Sequence, residues 1–273
     1  MEPLREVVID ADGIVYSAAF AADAEPIYFC LSTVKRMIKN VISETRADHA
    51  TLLLTGKDNF RNDLATIQKY KGNRDGVEKP RHYQNVRDYM VRVWGATIVD
   101  GMEADDAVGM LCSSGLEGTD FILSSADKDL RMIPGDHFNW QKKAWEHVNE
   151  KQGWIFFLTQ LLTGDSGDNI PGLFKLTKTK ASAKAKNDVE QRVMNAGSDW
   201  KQEGFNQVFS IYCVSYNLLH GGSMLTDDIS DWATGVLNEI GDLLWIRRQP
   251  NQTFRDYMNG DKESKEGSAK EQA

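Results

Sequence analysis

The chain has 273 residues, 41% of them hydrophobic, which suffices for one large α/β domain or a main domain with a helical appendage and excludes a wholly disordered protein. No apolar run approaches the ~20 residues of a membrane span, and the start Met1-Glu2-Pro3-Leu4-Arg5 lacks the basic-then-apolar order of a secretory signal, so a cytoplasmic chain with no membrane partner is expected. The net charge of −8 at first sight opposes a polyanionic partner.

Along the chain, Glu6–Asp10 reads as a short buried strand that ends in an acid. A helical pattern over 27–45 follows, then a second strand over Ala50–Leu54. A helix over 83–94, a third strand over Ala96–Asp100, a helix over 103–115 and a fourth strand over Phe121–Ser124 complete the first part. Strands alternating with helices, each strand almost continuously apolar, predict an α/β fold: a mostly parallel central sheet flanked by helices. Ligands of such sheets bind at the carboxyl ends of the strands. From about 150 the pattern is helical, over 151–163, 181–195, 200–219 and 228–241. The expected organisation is therefore an α/β core over 1–150 and a helical subdomain over 151–258. The polar, charged segment 259–273 is expected to be disordered.

Cys30, Cys112 and Cys213 are far apart and odd in number, which fits free thiols, and the five histidines form no HxxxH or HExxH spacing. A metal here would have to use oxygen ligands. Four patterns supply them: Asp10-Ala11-Asp12-Gly13, Glu103-Ala104-Asp105-Asp106, Ser125-Ala126-Asp127-Lys128-Asp129 and Gly164-Asp165-Ser166-Gly167-Asp168-Asn169-Ile170-Pro171-Gly172. Asp10 ends the first strand, Asp58 follows the second, Glu103 the third and Asp127 the fourth. In a helix from Glu103, residues 103 and 106 share a face; in extended chain, Asp127 and Asp129 point the same way. Like charges so placed need cations, and carboxylates without sulfur or imidazole suit Mg²⁺ or Mn²⁺. Two such ions ~4 Å apart can activate water and hold an in-line displacement at phosphorus. Any single acid here is more simply a helix cap or turn residue, but nine at successive strand exits are hard to explain as caps. Setting aside Asp10, Asp58, Glu103, Asp105, Asp106, Asp127, Asp129, Asp165 and Asp168 leaves 31 acids against 32 bases. The acidity thus belongs to the candidate metal site, and a low isoelectric point no longer opposes a nucleic acid.

Two basic stretches could meet such a substrate. Lys69-Tyr70-Lys71-Gly72-Asn73-Arg74, continuing to Lys79, Arg81 and His82, combines cations with an aromatic able to stack on a base. Lys175, Lys178, Lys180, Lys184 and Lys186 follow Gly172 with no acid until Asp188. A solvated surface remains the alternative for both.

Tyr70-Lys71-Gly72-Asn73-Arg74, Glu103-Ala104-Asp105-Asp106, Ser125-Ala126-Asp127-Lys128-Asp129 and Gly164–Gly172, in this order, resemble the 5′→3′ exonuclease and flap endonuclease family of PIN-like nucleases, over about residues 6–172. The short chain looks most like phage-encoded replication members without a polymerase domain, which would act in the host bacterial cytoplasm. The resemblance implies two divalent ions, Mg²⁺ or Mn²⁺. Asp10, Asp58, Glu103, Asp105 and Asp127 match the surroundings of the tighter ion; Asp129, Asp165 and Asp168 match the second, and Asp106 completes the cluster. Asp10, Asp127, Lys71 and Arg74 match catalytic positions, the two cations contacting the scissile phosphate, while Tyr70 packs against a base. Lys69, Lys175, Lys178 and Lys180 are expected on the substrate. A helical arch is expected around 60–92. The implied partner is DNA with a 5′ end, nick or flap, with RNA primer strands an open alternative; the oligomeric state is not implied. The family follows its GDxxDNIPG motif with a GxxGxGxK hairpin that often holds potassium. Here Lys175 and Thr177 occupy the next two glycine positions, which argues against the tight hairpin and the potassium site.

Two rivals stand beside this reading. Asp10-Ala11-Asp12-Gly13 also resembles the nucleophile motif of haloacid-dehalogenase-type phosphatases, with Asp12 as acid/base, although Ile14 stands where that family has Thr or Ser. The other is a DNA-end-binding protein without turnover.

Overall fold

The computed structural model describes residues 3–260, and 261–273 of the expected disordered tail lie outside the described residues. In chain order the elements are β1 (Leu4–Asp10), α1 (Asp12–Ala21), α2 (Ile27–Thr45), β2 (His49–Thr55), α3 (Arg61–Leu64), α4 (Tyr83–Trp94), β3 (Thr97–Val99) and α5 (Ala104–Cys112). They continue with β4 (Thr119–Ser124), β5 (Gly135–Asn139), β6 (Ala144–Val148), α6 (Glu150–Thr163), α7 (Leu173–Thr177), α8 (Ala183–Asn195), α9 (Trp200–Leu219) and α10 (Thr226–Leu244). The chain divides into two units. Unit 1 takes the chain up to Phe60, Gly76–Glu150 and Ile246–Pro250; unit 2 takes Arg61–Asp75, Lys151–Trp245 and the chain from Asn251.

Unit 1 is built on a six-stranded sheet of order β3-β2-β1-β4-β5-β6. All pairs are parallel except β5 with β6. Val7, Ile9, Leu52, Leu54 and Ile122 share one buried core with Ile14, Val15 and Ala18 of α1, Val34 and Ile38 of α2, and Val86 and Met90 of α4. Val8, Leu53 and Leu123 alternate to the opposite face, as the two-residue period requires. Helix α5, packed on β1, β2 and β4, carries the buried Ala104 and Val108. Gly109 of α5 is there because of a close approach: a Cβ would lie 2.5 Å from the Arg247 carbonyl oxygen and 3.0 Å from Ile246. Arg248, also of this segment, is buried and donates to Glu150 (2.8 Å) and to the Met132 carbonyl (2.7 Å).

Unit 2 is helical. Trp154 and Phe157 of α6 pack with Trp245 and Phe254 at ring separations of 5.1–6.1 Å, and all four are fully buried. Gly241 of α10 lets the Phe254 ring lie against its backbone, since a Cβ there would come within 2.3 Å of the ring. Arg61 is buried and donates from Nε to the Leu243 carbonyl (2.9 Å) and from a terminal nitrogen to the Trp245 carbonyl (2.8 Å). It satisfies carbonyls that the end of α10 would leave open.

Three expectations change. Strands β5 and β6 were not expected, because GDHFN and AWEHV carry few apolar residues; β6 is an edge strand and mostly exposed. The segment expected as a helical arch around 60–92 holds the four-residue α3, a 3-10 turn over Gly72–Arg74, and α4, with irregular chain between. Asn259 and Gly260, expected in the tail, belong to a helical stretch over 254–260. Thr253 and Asp256 cap its start reciprocally, the Thr253 N–H to the carboxylate (2.8 Å) and the Asp256 N–H to the hydroxyl (3.2 Å), and Phe254 anchors it.

Arg61→Met should lower the unfolding free energy by about 2–4 kcal/mol in a urea melt, because it strands two buried carbonyls. A loss below about 0.5 kcal/mol would show that those carbonyls find other donors.

Candidate active site

The site in unit 1 starts where β1 stops. Asp10 is only 6% exposed. Its carboxylate accepts the Ser125 hydroxyl (2.8 Å) and the Asp12 N–H (3.2 Å). The Ser125 oxygen in turn accepts the Asp127 N–H (2.9 Å), and Asp127 accepts the Asp129 N–H (2.9 Å). The exits of β1 and β4, neighbours in the sheet, are thus tied together by one hydrogen-bonded series. Burial foremost, then the Asp12 charge and more weakly Asp127, push Asp10 up to about 7 from its ordinary 3.8, against the hydrogen bonds from Ser125 and Asp12. Among the described residues no Lys, Arg or His pairs with Asp10, and the one cation held nearby, Arg87, is spent on Asp12.

The acids at the start of α5 are arranged differently. Glu103 and Asp106 form a capping box, in which the Asp106 carboxylate accepts the Glu103 N–H (3.3 Å). Asp106 is fully buried and also accepts the Arg247 N–H (3.1 Å), so it works first as a structural acceptor. Asp105 lies half-buried in the first turn of α5. Asn59 donates to Glu103 (2.9 Å), which brings the β2 exit to the start of α5. Asp58, beside it, is exposed and takes a left-handed backbone (φ 61°). Asp127 is exposed, and Asp129 is paired with Lys128 (2.8 Å). Among the described residues, no three His, Cys, Asp or Glu side chains meet as a ready-made metal cage. The donor chemistry of Asp10 and Asp127 nevertheless fits a hard cation, because every candidate atom is an oxygen and the buried charge is unrelieved.

Unit 2 joins two motifs that lie far apart in sequence. Asp165 is buried, pairs its backbone with Ile170 (3.0 and 2.7 Å) and accepts the Gly167 N–H (2.7 Å). Gly164 (φ 69°) and Gly172 close this loop, since a Cβ on Gly164 would fall 2.4 Å from the Gly172 nitrogen. Residues 69–74 dock onto it. The Lys71 N–H donates to the Asp168 carbonyl (2.9 Å), and the buried Tyr70 donates its hydroxyl to the Asp168 carboxylate (2.9 Å). Arg74 pairs with the same carboxylate (2.6 Å), and the Lys71 ammonium stands 3.7 Å from it. Arg74 and Asn73 also donate to the Gly167 carbonyl (3.1–3.2 Å). Asp168, expected as a metal ligand, therefore holds the two cations expected on the phosphate, and Tyr70, expected against a base, is enclosed. Lys69 is exposed and paired with Asp75 (2.5 Å).

Lys175, Lys178 and Lys180 are exposed. Lys175 lies in α7, and Lys178 follows it in the left-handed conformation (φ 61°). Lys175 and Thr177, at the two glycine positions of the family's hairpin, thus lie within a helix, and the left-handed position falls on Lys178 beyond it.

Sequence reasoning passed over several residues. Ser125 stands inside a motif that was read only for its acids. Arg87 is buried and pairs with Asp12 (3.0 Å). Tyr16 and Phe20, one turn apart on α1, stack at 6.1 Å and stay 38% and 60% exposed, and Tyr83 lies 5.0 Å from Tyr16. The Lys79 ammonium stands 4.2 Å over the Tyr83 ring. An exposed aromatic row at helical spacing, on the helix that begins beside Asp10, was legible in principle.

A mostly parallel sheet with carboxylates at its strand exits defines an α/β protein with oxygen donors at the carboxyl ends of its strands. Residues 5–155, more than half of the chain, match the model of the 5′-3′ exonuclease N-terminal resolvase-like domain, and the chain belongs to that family. It is 29% identical over 166 residues to a 5′-3′ exonuclease of Buchnera aphidicola subsp. Schizaphis graminum, covering 55% of each chain. It is 25% identical over 201 residues to DNA polymerase I of Chloroflexus aurantiacus, covering 61% of this chain and 20% of that one. The chain therefore spans about half and one fifth of the length of these two relatives. Its fold is similar to that of a bacteriophage T5 flap endonuclease solved with DNA and metal ions (TM-score 0.52, 15% identity, 85% of this chain and 98% of that chain). No helix among the described residues is long and apolar enough to cross a membrane.

The raised Asp10 has a consequence for stability. The folded chain keeps this proton to higher pH than the unfolded chain, so Asp10 weakens folding progressively between about pH 4 and its folded value of about 7, and fully above it. Without divalent ions at pH 8, Asp10→Asn should raise the unfolding free energy by about 2–4 kcal/mol. At pH 4 the gain should vanish. A variant less stable than the parent at pH 8 in chelator would overturn this account of Asp10.

Proposed function

We propose that the chain is a divalent-metal-dependent nuclease that hydrolyses DNA phosphodiesters from or near a 5′ end, as a 5′→3′ exonuclease or flap endonuclease. The observation that carries the reading is the buried, uncompensated Asp10 carboxylate joined through Ser125 to Asp127 at adjacent strand exits. Family membership supports it, as do the name of the Buchnera relative and the DNA and metal ions held by the phage neighbour. Mg²⁺ or Mn²⁺ would be held by Asp10 and Asp127 with Asp58, Glu103 and Asp105, which Asp106 supports from within the helix cap; Asp129 in unit 1 and Asp165 and Asp168 in unit 2 are the remaining candidate oxygen ligands. When bound, such ions supply Lewis-acid stabilisation for displacement at phosphorus.

The chain's own residues do the rest. Lys71 and Arg74 bring positive charge to the phosphate, and Asp168 presets their positions in its absence. Tyr16, Phe20 and Tyr83 offer faces on which unpaired bases can stack, with Lys79 near a backbone phosphate. Lys69, Lys175, Lys178 and Lys180 add attraction for the duplex, with the helices of 151–258 as the DNA-binding part. The substrate is DNA with a nick, flap or free 5′ end, RNA primer strands being a second class to assay, in a replication role of the phage type. The phosphatase reading is disfavoured by one observation: both Asp12 carboxylate oxygens are engaged, by Arg87 and the Thr55 N–H, so it is not free to move a proton.

The assay is Mg²⁺ with 5′- and 3′-labelled nicked and flap duplexes, read for product length. Asp127→Ala should lower kcat by roughly 10³-fold or more while DNA binding in Ca²⁺ stays within about threefold. Unimpaired cleavage by this variant would sink the metal-site assignment, and an inactive parent that still binds DNA would favour the end-binding alternative. Lys71→Ala should lower kcat by about 10²-fold with little change in binding. Equal losses in both would reduce Lys71 to a phosphate contact.

A further inference from the structure

Asp12 is the acid the proposed chemistry leaves unused, two residues from Asp10 and 24% exposed at its side chain. Its Oδ1 accepts from Arg87 (3.0 Å) and its Oδ2 from the Thr55 N–H (2.9 Å). The other terminal nitrogen of Arg87 donates to the Thr55 carbonyl (2.6 Å), and the Thr55 hydroxyl accepts the Ala104 N–H (2.9 Å). Thr55, the last residue of β2, is therefore gripped at its N–H, its carbonyl and its hydroxyl. The three grips come from the start of α1, from α4 and from the start of α5. These are the elements next to Asp10 and Glu103, and β2 itself leads to Asp58. Arg87 is only 8% exposed, which removes it from the DNA phosphates as a contact.

We propose that Arg87 is a positioning residue: through Asp12 and Thr55 it fixes the exits of β1 and β2 and the start of α5 to one another, and it withdraws the Asp12 carboxylate from the cation site. This rests on the nuclease reading for its kinetic part alone. The planar guanidinium makes two directed contacts at once, which one ammonium cannot reproduce. Without Arg87, the Asp12 charge beside Asp10 loses both its counter-charge and its anchor. Cations would then bind more readily and in the wrong place, so affinity and turnover should move in opposite directions.

The test uses the full-length protein with Mn²⁺ alone, followed by calorimetry, beside steady-state cleavage of a flap duplex. Arg87→Gln should bind Mn²⁺ at least threefold more tightly, lose tenfold or more in kcat, and keep KM for DNA within twofold. Adding Asp12→Asn to that variant should return Mn²⁺ affinity to within twofold of the parent while kcat stays low. Arg87→Lys, which keeps the charge, should keep parental Mn²⁺ affinity and still lose kcat, and it serves as the readout if Arg87→Gln does not fold. A lowered melting temperature with unchanged Mn²⁺ affinity and kcat in Arg87→Lys and Arg87→Gln would overturn the proposal and leave a purely structural pair. If the parent cleaves no substrate, the nuclease reading fails by itself, and unchanged Mn²⁺ affinity in Arg87→Gln still decides against the withdrawal of Asp12.

Discussion

Asp10 ends a central strand with its carboxylate almost wholly out of water, and Asp12 and Asp127 add to the work of charging it. A parallel sheet produces this situation by its geometry: its strands finish on the same side, so acids placed after each strand are gathered whatever their distance in sequence. Much of unit 1 can be understood as managing the result. Ser125 shares a hydrogen with Asp10, Arg87 neutralises Asp12, and Asp106 spends its carboxylate on a helix cap and on the backbone of Arg247. What is left is the Asp10 carboxylate, buried and without a paired cation among the described residues, which is the condition under which a cation contributes most.

Unit 2 handles charge by the reverse route. There Asp168 is matched by Lys71, Arg74 and the Tyr70 hydroxyl, so a basic segment is held against an acidic loop. Such an arrangement limits the conformational freedom of two long cationic side chains.

The sequence carried the helices of 27–45, 83–94 and 200–219 to the residue, because their apolar periodicity is strong. It carried β1 to β4 as well, since β1, β2 and β4, buried in the middle of the sheet, are written as apolar runs. It did not carry β5, an inner strand with one large apolar residue, nor β6, whose exposed edge needs no apolar run, nor α1, which opens on acids. At the site, the acids and the basic motif were legible as residue types. Their partners were not: Tyr70, read as able to stack on a base, is buried against Asp168, and the Arg87–Asp12 pair has no sequence signal. These are long-range pairings between polar groups, which leave no periodic trace in a single chain.

The return of Ile246–Pro250 to unit 1 bears on how the protein is made. Synthesis delivers the amino-terminal portion first, and domains commonly begin folding as they emerge. Here that order is interrupted, because Gly109 leaves a space into which Ile246 and Arg247 pack beside Ile133, and Asp106 waits for the Arg247 N–H. The acid-bearing unit thus stays unfinished on the ribosome until the helical unit has been almost wholly translated. A chain broken off after Trp245 would lose part of the sheet unit's packing, and its damage would fall on the helix that carries Asp105 and Asp106.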